Sequence, residues 1–322
     1  MLKIHQHKNT KGLIKYFDED FAYGGGEPDP LKREQSREQA GLMPSWHGRA
    51  SEFLQLPKAV TKPAFTSLAS NLHPVTKEQL TPRMRHDRIV AYDLTFSLPK
   101  GVSLLYAIAG HSDIINASKR AVIATMAEAE HHMRVRVRDG GPRDDRLTKN
   151  LTYAFFPHRL ARPQDGVADP QLHAHAVVFN TTRDHDERTW KAGKFFFIAK
   201  NMAYLQNVFH RSMRREMELL GYRTAPKGNF WDLQDVPVGL VEKFSSRRNA
   251  IRAELAKLDS QSPALAASIA LFYREHKGTG IGGQDLWNAW TRRLTKTEWD
   301  WLSGYKPDAA RARDLDLLKD SV

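Results

Sequence analysis

The sequence predicts an α+β fold: an antiparallel central sheet flanked by helices, followed by a helical C-terminal region. Three observations predict it. Arg88 to Ser97 alternates well, with Val90, Tyr92, Leu94 and Phe96 on one side. Two further strand-like runs follow at Leu151 to His158 and Gln171 to Thr181. From Ala199 onward the periodicity becomes helical.

Taken in order, Thr10 to Tyr23 reads as a short amphipathic helix with Thr10 as N-cap and Leu13, Phe17 and Phe21 at spacings of four. Gly24-Gly25-Gly26 ends it, and Pro28 and Pro30 keep the chain extended. Glu27 to Arg88, mixed and charged, reads as an excursion packed on the core. In the strand from Arg88 to Ser97, Val90, Tyr92, Leu94 and Phe96 face one way and Ala91, Asp93, Thr95 and Ser97 the other, so it is predicted to be half-buried. Pro99-Lys100-Gly101 breaks it, and a helix begins near Val102. Ser112 to Arg138 is predicted as a long helix and Asp139 to Lys149 as a charged turn. A helix from Ala199 to Leu220 is closed by Gly221. Phe230 to Leu233 is a short strand, and Val238 to Leu258 and Pro263 to His276 are helical, with a Trp-rich tail. The expected organisation is a catalytic domain over 1–258 and a helical extension over 259–322, packed on that domain and contacting its ligand.

The composition fits a soluble globular chain of 322 residues with 41% hydrophobic and 27% charged residues. Its formal net charge of +12 and pI of about 9.8 point to a polyanionic partner, nucleic acid being the commonest. There is no cysteine, which excludes disulfides and thiolate metal sites. No run is apolar enough to span a membrane, and the first residues lack the apolar core of a signal peptide, so a cytoplasmic location is expected.

His173 and His175 are one residue apart in a predicted strand, so both imidazoles leave the same face, while Leu172, Ala174 and Ala176 face the core. His158, at the end of the neighbouring strand, is the candidate third ligand. Three imidazoles leave coordination positions open, as catalytic metal sites do. Mg, Mn or Zn can bind such a set, and ligand type does not decide among them. A His-x-His pair alone reads sooner as a surface pair that holds no ligand. Asp93 shifts the balance, because a carboxylate on the polar face of its strand can accept the second ring N–H of a ligand histidine. His5 and His7, another such pair, read as solvated at the terminus.

Tyr16 and Tyr23 are seven residues apart and, on one helix, share a face about 10 Å apart along the axis. Asp20 sits between them. A phenol is a weak nucleophile near neutral pH, but it serves against a phosphate polarised by a metal ion. Two such tyrosines suit two successive strand transfers. Arginine clusters (Arg83, Arg85 and Arg88; Arg211, Arg214 and Arg215; Arg247, Arg248 and Arg252) and the Trp287 to Trp301 tail supply charge and flat faces for phosphates and unstacked bases. Helical tryptophans and arginines serve equally as core and solvated face.

Tyr-Asp-Leu-Thr-Phe-Ser-x-Pro-Lys-x-Val-Ser, from Tyr92 to Ser103, resembles the central signature of MobF-type conjugative relaxases. Asp-Pro-Gln-Leu-His-x-His, from Asp169 to His175, is similar to their metal-binding motif. These enzymes belong to the HUH endonuclease class. The Tyr16 segment, Trp46-x-Gly48, Gly221-Tyr222 and Ser245 to Arg248 also fit, so the resemblance covers about residues 1 to 300. It implies a palm-like HUH sheet and site- and strand-specific nicking of single-stranded DNA beside a hairpin at a plasmid transfer origin. It also implies a 5′-phosphotyrosine intermediate and religation. By this resemblance Tyr16 is the first nucleophile and Tyr23 the second, and His158, His173 and His175 hold a divalent ion, Mg or Mn before Zn. Asp93 orients a ligand histidine and is the candidate acceptor of the tyrosine proton. Lys100, Arg83, Arg85, Arg247 and Arg248 are the candidate DNA contacts.

The implied setting is a bacterial, plasmid- or mobile-element-encoded monomer, with relaxosome accessory proteins and a type IV coupling protein as partners. Three departures stand out: the doubled tyrosines of the family read Tyr16-Phe17 and Ala22-Tyr23, extra residues lie around Arg162 to Gly166, and Gly101 replaces a commoner Ser. No Gly-x-x-x-x-Gly-Lys-Ser/Thr motif occurs, so a relaxase domain without a fused helicase is expected. The competing readings are a replication-initiator or transposase-like nickase of the same class, and a non-catalytic origin-binding protein.

Overall fold

The computed structural model describes residues 1–21, 41–82, 87–137, 145–258, 262–272, 281 and 283–310. Tyr23, Arg83 and Arg85 lie outside the described residues. The chain divides into two compact units: Met1–Ser97 with Ile115–His158 and His173–Glu216, and Leu98–Ile114 with Arg159–Leu172 and Met217–Val322. The boundary expected at residue 258 falls inside the second unit.

The chain begins with β1 (Leu2–His7), α1 (Thr10–Tyr16), α2 (Asp18–Phe21), β2 (Ser45–His47), α3 (Ala50–Phe53), α4 (Lys62–Ala69) and β3 (Ala91–Ser97). It continues with α5 (Lys100–Ala107), α6 (Asp113–His131), β4 (Arg134–Arg136), β5 (Asp145–Leu147), β6 (Tyr153–Leu160) and β7 (Pro170–Phe179). Then come β8 (Thr182–Asp184), β9 (Thr189–Lys191), α7 (Phe196–Lys200), α8 (Met202–Leu219), β10 (Thr224–Lys227) and β11 (Phe230–Leu233). The last helices are α9 (Val238–Lys243), α10 (Ser246–Lys257), α11 (Pro263–Phe272), α12 (Gly283–Thr291) and α13 (Lys296–Gly304).

The first unit is organised by a five-stranded sheet of order β1-β3-β7-β6-β2, in which β1–β3, β3–β7 and β2–β6 pair antiparallel. Register fixes its two faces, because cross-strand partners share a side. Ala91, Asp93, Thr95 and Ser97 stand opposite Phe179, Val177, His175 and His173. One end of this face is therefore apolar. There Phe17, Trp46, Phe65, Ala154, Phe156, Val177 and Phe179 form one buried cluster with Leu13 of α1 and Leu68 of α4. The other end carries the histidines. On the reverse face Phe96 meets Phe209 of α8 at 5.1 Å, and Tyr92 stacks on Phe195 at 3.7 Å. β3 is thus covered on both sides rather than half-buried, because it is an inner strand with helices on each face.

Trp46-x-Gly48 has a backbone reason. Gly48 has φ +94°, and a Cβ there would stand 2.2 Å from the Leu151 carbonyl oxygen. The adjacent Arg49 N–H donates to buried Glu130, which also accepts from Leu151 N–H.

Several expectations are corrected. The Tyr16 segment is not one helix. Asn9, not Thr10, caps α1, its Oδ1 accepting from Gly12 N–H at 2.9 Å, and the helix breaks at Phe17 before the single turn of α2. The two-turn geometry expected between Tyr16 and Tyr23 ends on a residue outside the described ones, and α1 itself stops at Tyr16. The helix expected to reach Arg138 stops at His131, and Arg134–Arg136 pairs with Asp145–Leu147. Val238 to Leu258 is interrupted at Phe244 and Ser245. His5 and His7 lie in a strand rather than a free terminus: in β1 His5 is exposed opposite Asp93 and His7 is half-buried.

In the second unit Asp169 is the polar anchor. It accepts from Ser246 N–H at 2.7 Å, Ser246 Oγ at 3.2 Å and Arg293 Nη1 at 2.9 Å. Trp290 Nε1 donates to the neighbouring Ala168 carbonyl at 2.9 Å. The C-terminal helices therefore grip the residues that lead into β7. The extra residues near Arg162 close as a tight turn, with Gln164 and Val167 bridged and Asp165 and Gly166 at positive φ. Gly101 also has a local cause: a Cβ there would stand 2.6 Å from Asp232 Oδ1.

Candidate metal centre and nucleophile

The site grows from the polar end of the sheet face. Period-two alternation in β7 brings His173 and His175 out on one side, and β6 brings His158 beside them. Ring centroids are 5.1 Å apart for His158 and His173, 4.9 Å for His158 and His175, and 5.2 Å for His173 and His175. One nitrogen from each lies within 4.8 Å of the others. An all-imidazole donor set of this spacing fits a divalent ion and leaves coordination positions for other ligands. The turn between β6 and β7 absorbs the extra residues without separating His158 from its partners.

Asp93 is 4% exposed, and its carboxylate oxygens lie 2.9 and 2.7 Å from His175 Nδ1. An ionised carboxylate only accepts, so Nδ1 carries the proton and Nε2 keeps its lone pair for a metal. Thr95 Oγ1 stands 3.4 Å from the same nitrogen. Asp20, also buried, places Oδ1 2.8 Å from His158 Nε2.

Tyr16 ends α1 with its ring half-buried against this group. Its centroid is 6.0 Å from His175, 6.1 Å from His7 and 4.8 Å from Phe17. The His7 imidazole is held below its usual range, chiefly by burial and opposed by the charge of Asp93. The same face thus unites Tyr16, Asp93, His158, His173 and His175.

The proposed DNA contacts are distributed differently. Lys100 Nζ donates to the Pro170 carbonyl at 2.7 Å, and burial, outweighing the neighbouring Asp169, brings its pKa down to about 8. Arg247 Nη2 donates to the Ala270 carbonyl at 2.6 Å, while Arg248 is exposed. Two features escaped the sequence. The Asp20–His158 pair had no signal beyond the spacing of Asp20 from Tyr16. The β1 histidines had one: Leu2 and Ile4 alternate with Lys3 and His5.

Residues 15–297 match the family model described as TrwC relaxase. The chain is 32% identical over 288 residues to the multifunctional conjugation protein TraI of Escherichia coli (strain K12), covering 85% of this chain and 16% of that protein. A second TraI of Escherichia coli is 35% identical over 285 residues, covering 83% and 15%. The chain therefore spans about a sixth of the length of these relatives. Among solved structures, it is similar to the conjugative relaxase TrwC in complex with oriT DNA in its metal-bound form, with TM-score 0.77, 27% identity and coverage of 91% of this chain and 97% of that one. The copper-bound TrwC complex gives 0.78 at the same identity and coverage. TrwC with a 27-mer DNA comprising the recognition hairpin and cleavage site gives 0.75, again at 27% identity and with 91% and 97% covered.

Proposed function

The chain belongs to the TrwC relaxase family, and from that premise we propose that it nicks and rejoins single-stranded DNA at a plasmid transfer origin. The observation that carries this reading is the phenol of Tyr16 packed 6.0 Å, ring to ring, from one of three mutually close histidines.

Tyr16 Oη forms a bond to the scissile phosphorus as the bond from phosphorus to the 3′ oxygen breaks. The 5′ phosphate stays on the tyrosine, and the released 3′ oxygen takes a proton from water. Asp93 is the proposed acceptor of the phenolic proton, besides holding the tautomer of His175. When bound by His158, His173 and His175, a divalent ion supplies Lewis acidity toward the phosphate oxygens. Mg or Mn is the proposed ion, and Zn suits the same donors. Religation is the reverse attack by a 3′ hydroxyl on the phosphotyrosine. Tyr23 is the proposed second nucleophile.

The proposed partner is single-stranded DNA beside a hairpin, as in the TrwC complexes, with Arg83, Arg85, Arg248 and partly engaged Lys100 and Arg247 as contacts. Relaxosome proteins and a type IV coupling protein are the proposed protein partners of a cytoplasmic monomer. Among the described residues, no helix is long and apolar enough to cross a membrane.

The test is a labelled origin oligonucleotide incubated with protein and divalent metal, then run on a denaturing gel. A covalent adduct, absent in Tyr16→Phe and in chelator, is expected. An undiminished adduct in Tyr16→Phe would remove the nucleophile assignment. Cleavage by His173→Ala in chelator would remove the metal.

A further inference from the structure

The nucleophile segment meets the histidine cluster at a second point. Asp20 lies three residues past Phe17, where α1 breaks, and is 8% exposed. Phe17 stacks on Phe156 at 4.5 Å with planes 21° apart. Phe156 stands two residues before His158 on the same face of β6. The segment therefore runs along β6 in step, Phe17 on Phe156 and Asp20 on His158, while Tyr16 turns toward His175. His175 has a carboxylate partner in Asp93 from the sheet, and His158 has one in Asp20 from the segment that carries the nucleophile. The group of mutually close donors comprises the three histidines without Asp20, so Asp20 acts on a ligand rather than as one.

We propose that Asp20 is a positioning residue that orients His158 toward the divalent ion and thereby ties the Tyr16 segment to the metal centre. The proposal rests on the metal reading of the three histidines. A carboxylate accepting the outer N–H of a ligand imidazole fixes its ring and tautomer and raises its basicity. Here it holds the proton on Nε2 and leaves Nδ1 as the metal-facing nitrogen of His158. Helix continuity cannot steady Tyr16 from its C-terminal side, because α1 ends there. The packing of Phe17 on Phe156 and the Asp20–His158 bond supply restraint there instead. Linkage then runs both ways: an ordered segment strengthens ion binding, and a bound ion steadies the segment.

The test uses the whole chain, stripped with chelator and titrated with Mn(II) in a calorimeter, without DNA. Asp20→Asn and Asp20→Ala are expected to weaken Mn(II) binding by about 10- to 100-fold. Equal affinity in wild type and both variants overturns the proposal and leaves the metal reading intact. No binding by wild type, matched by His173→Ala, overturns both. A measurement without substitution guards against misfolded variants. In the metal-free protein the His158 ring nitrogens should report an Nε2-protonated tautomer by NMR, and an Nδ1-protonated ring overturns the proposal.

Discussion

Asp93 and His175 meet diagonally across the β3–β7 pair, two residues out of register on the same face, with both carboxylate oxygens within 2.9 Å of a single ring nitrogen. The contact is buried, and it joins the centre of the sheet to a histidine whose ring lies 6.0 Å from that of the candidate nucleophile. Replacing Asp93 with Asn keeps the shape and removes the charge. Nicking is expected to fall by about 10- to 100-fold through weaker metal binding and a misoriented ring. The imperfect replacement of a buried acceptor should also cost about 1–3 kcal/mol of stability. Single-turnover cleavage and urea denaturation read the two effects separately, and an unaltered cleavage rate would dismiss the role.

Tyr16→Phe removes one oxygen from a half-buried ring. Adduct formation is expected to drop by about a thousandfold or more, as it does for other nucleophile deletions. Origin binding, measured by gel shift, should change by less than about twofold. A variant that loses binding along with cleavage would instead mark Tyr16 as a DNA contact.

Asp169 ties Ser246 and Arg293 to the residues leading into β7. Asp169→Ala leaves the Arg293 guanidinium without this partner and the Ser246 N–H unpaired. A loss of about 2–4 kcal/mol is expected, since breaking a buried pair costs more than the pair contributes. Denaturant unfolding checks it, and a loss below about 1 kcal/mol would show that the clamp is dispensable.

His47 is held down to about 4 by burial, with Lys119 and Lys58 adding to the effect. Its folded value lies below the unfolded one, so the unfolded chain binds the extra proton between them. The stability from the neutral ring is complete above about 6.5 and is lost as pH falls toward 4. Melting temperatures of wild type and His47→Gln, compared between pH 7 and pH 4, should converge as the pH falls. Parallel curves would contradict this.

The metal face was legible because strand periodicity does not depend on context. Once β7 is recognised, His173 and His175 must share a side, and Asp93 follows from the alternation in β3. Other features depend on contacts that sequence patterns do not encode. The break at Phe17 arises where its ring is drawn onto Phe156 and its N–H is shared between the Leu13 and Ile14 carbonyls. Only that break lets Asp20 reach His158. β1 was missed because it is an edge strand with only Leu2 and Ile4 apolar. The short β4–β5 and β8–β9 pairs were missed because ion pairs such as Arg146–Asp184 and Lys194–Asp145 support them rather than apolar alternation.

Position 17 has a further consequence. Its side chain is sealed between Phe65 and Phe156, so it contributes packing and no hydroxyl. The residue beside Tyr16 therefore offers no second phenol. Once Tyr16 carries a strand, its immediate neighbour cannot relieve it, so a second transfer falls to the proposed nucleophile Tyr23, seven residues on.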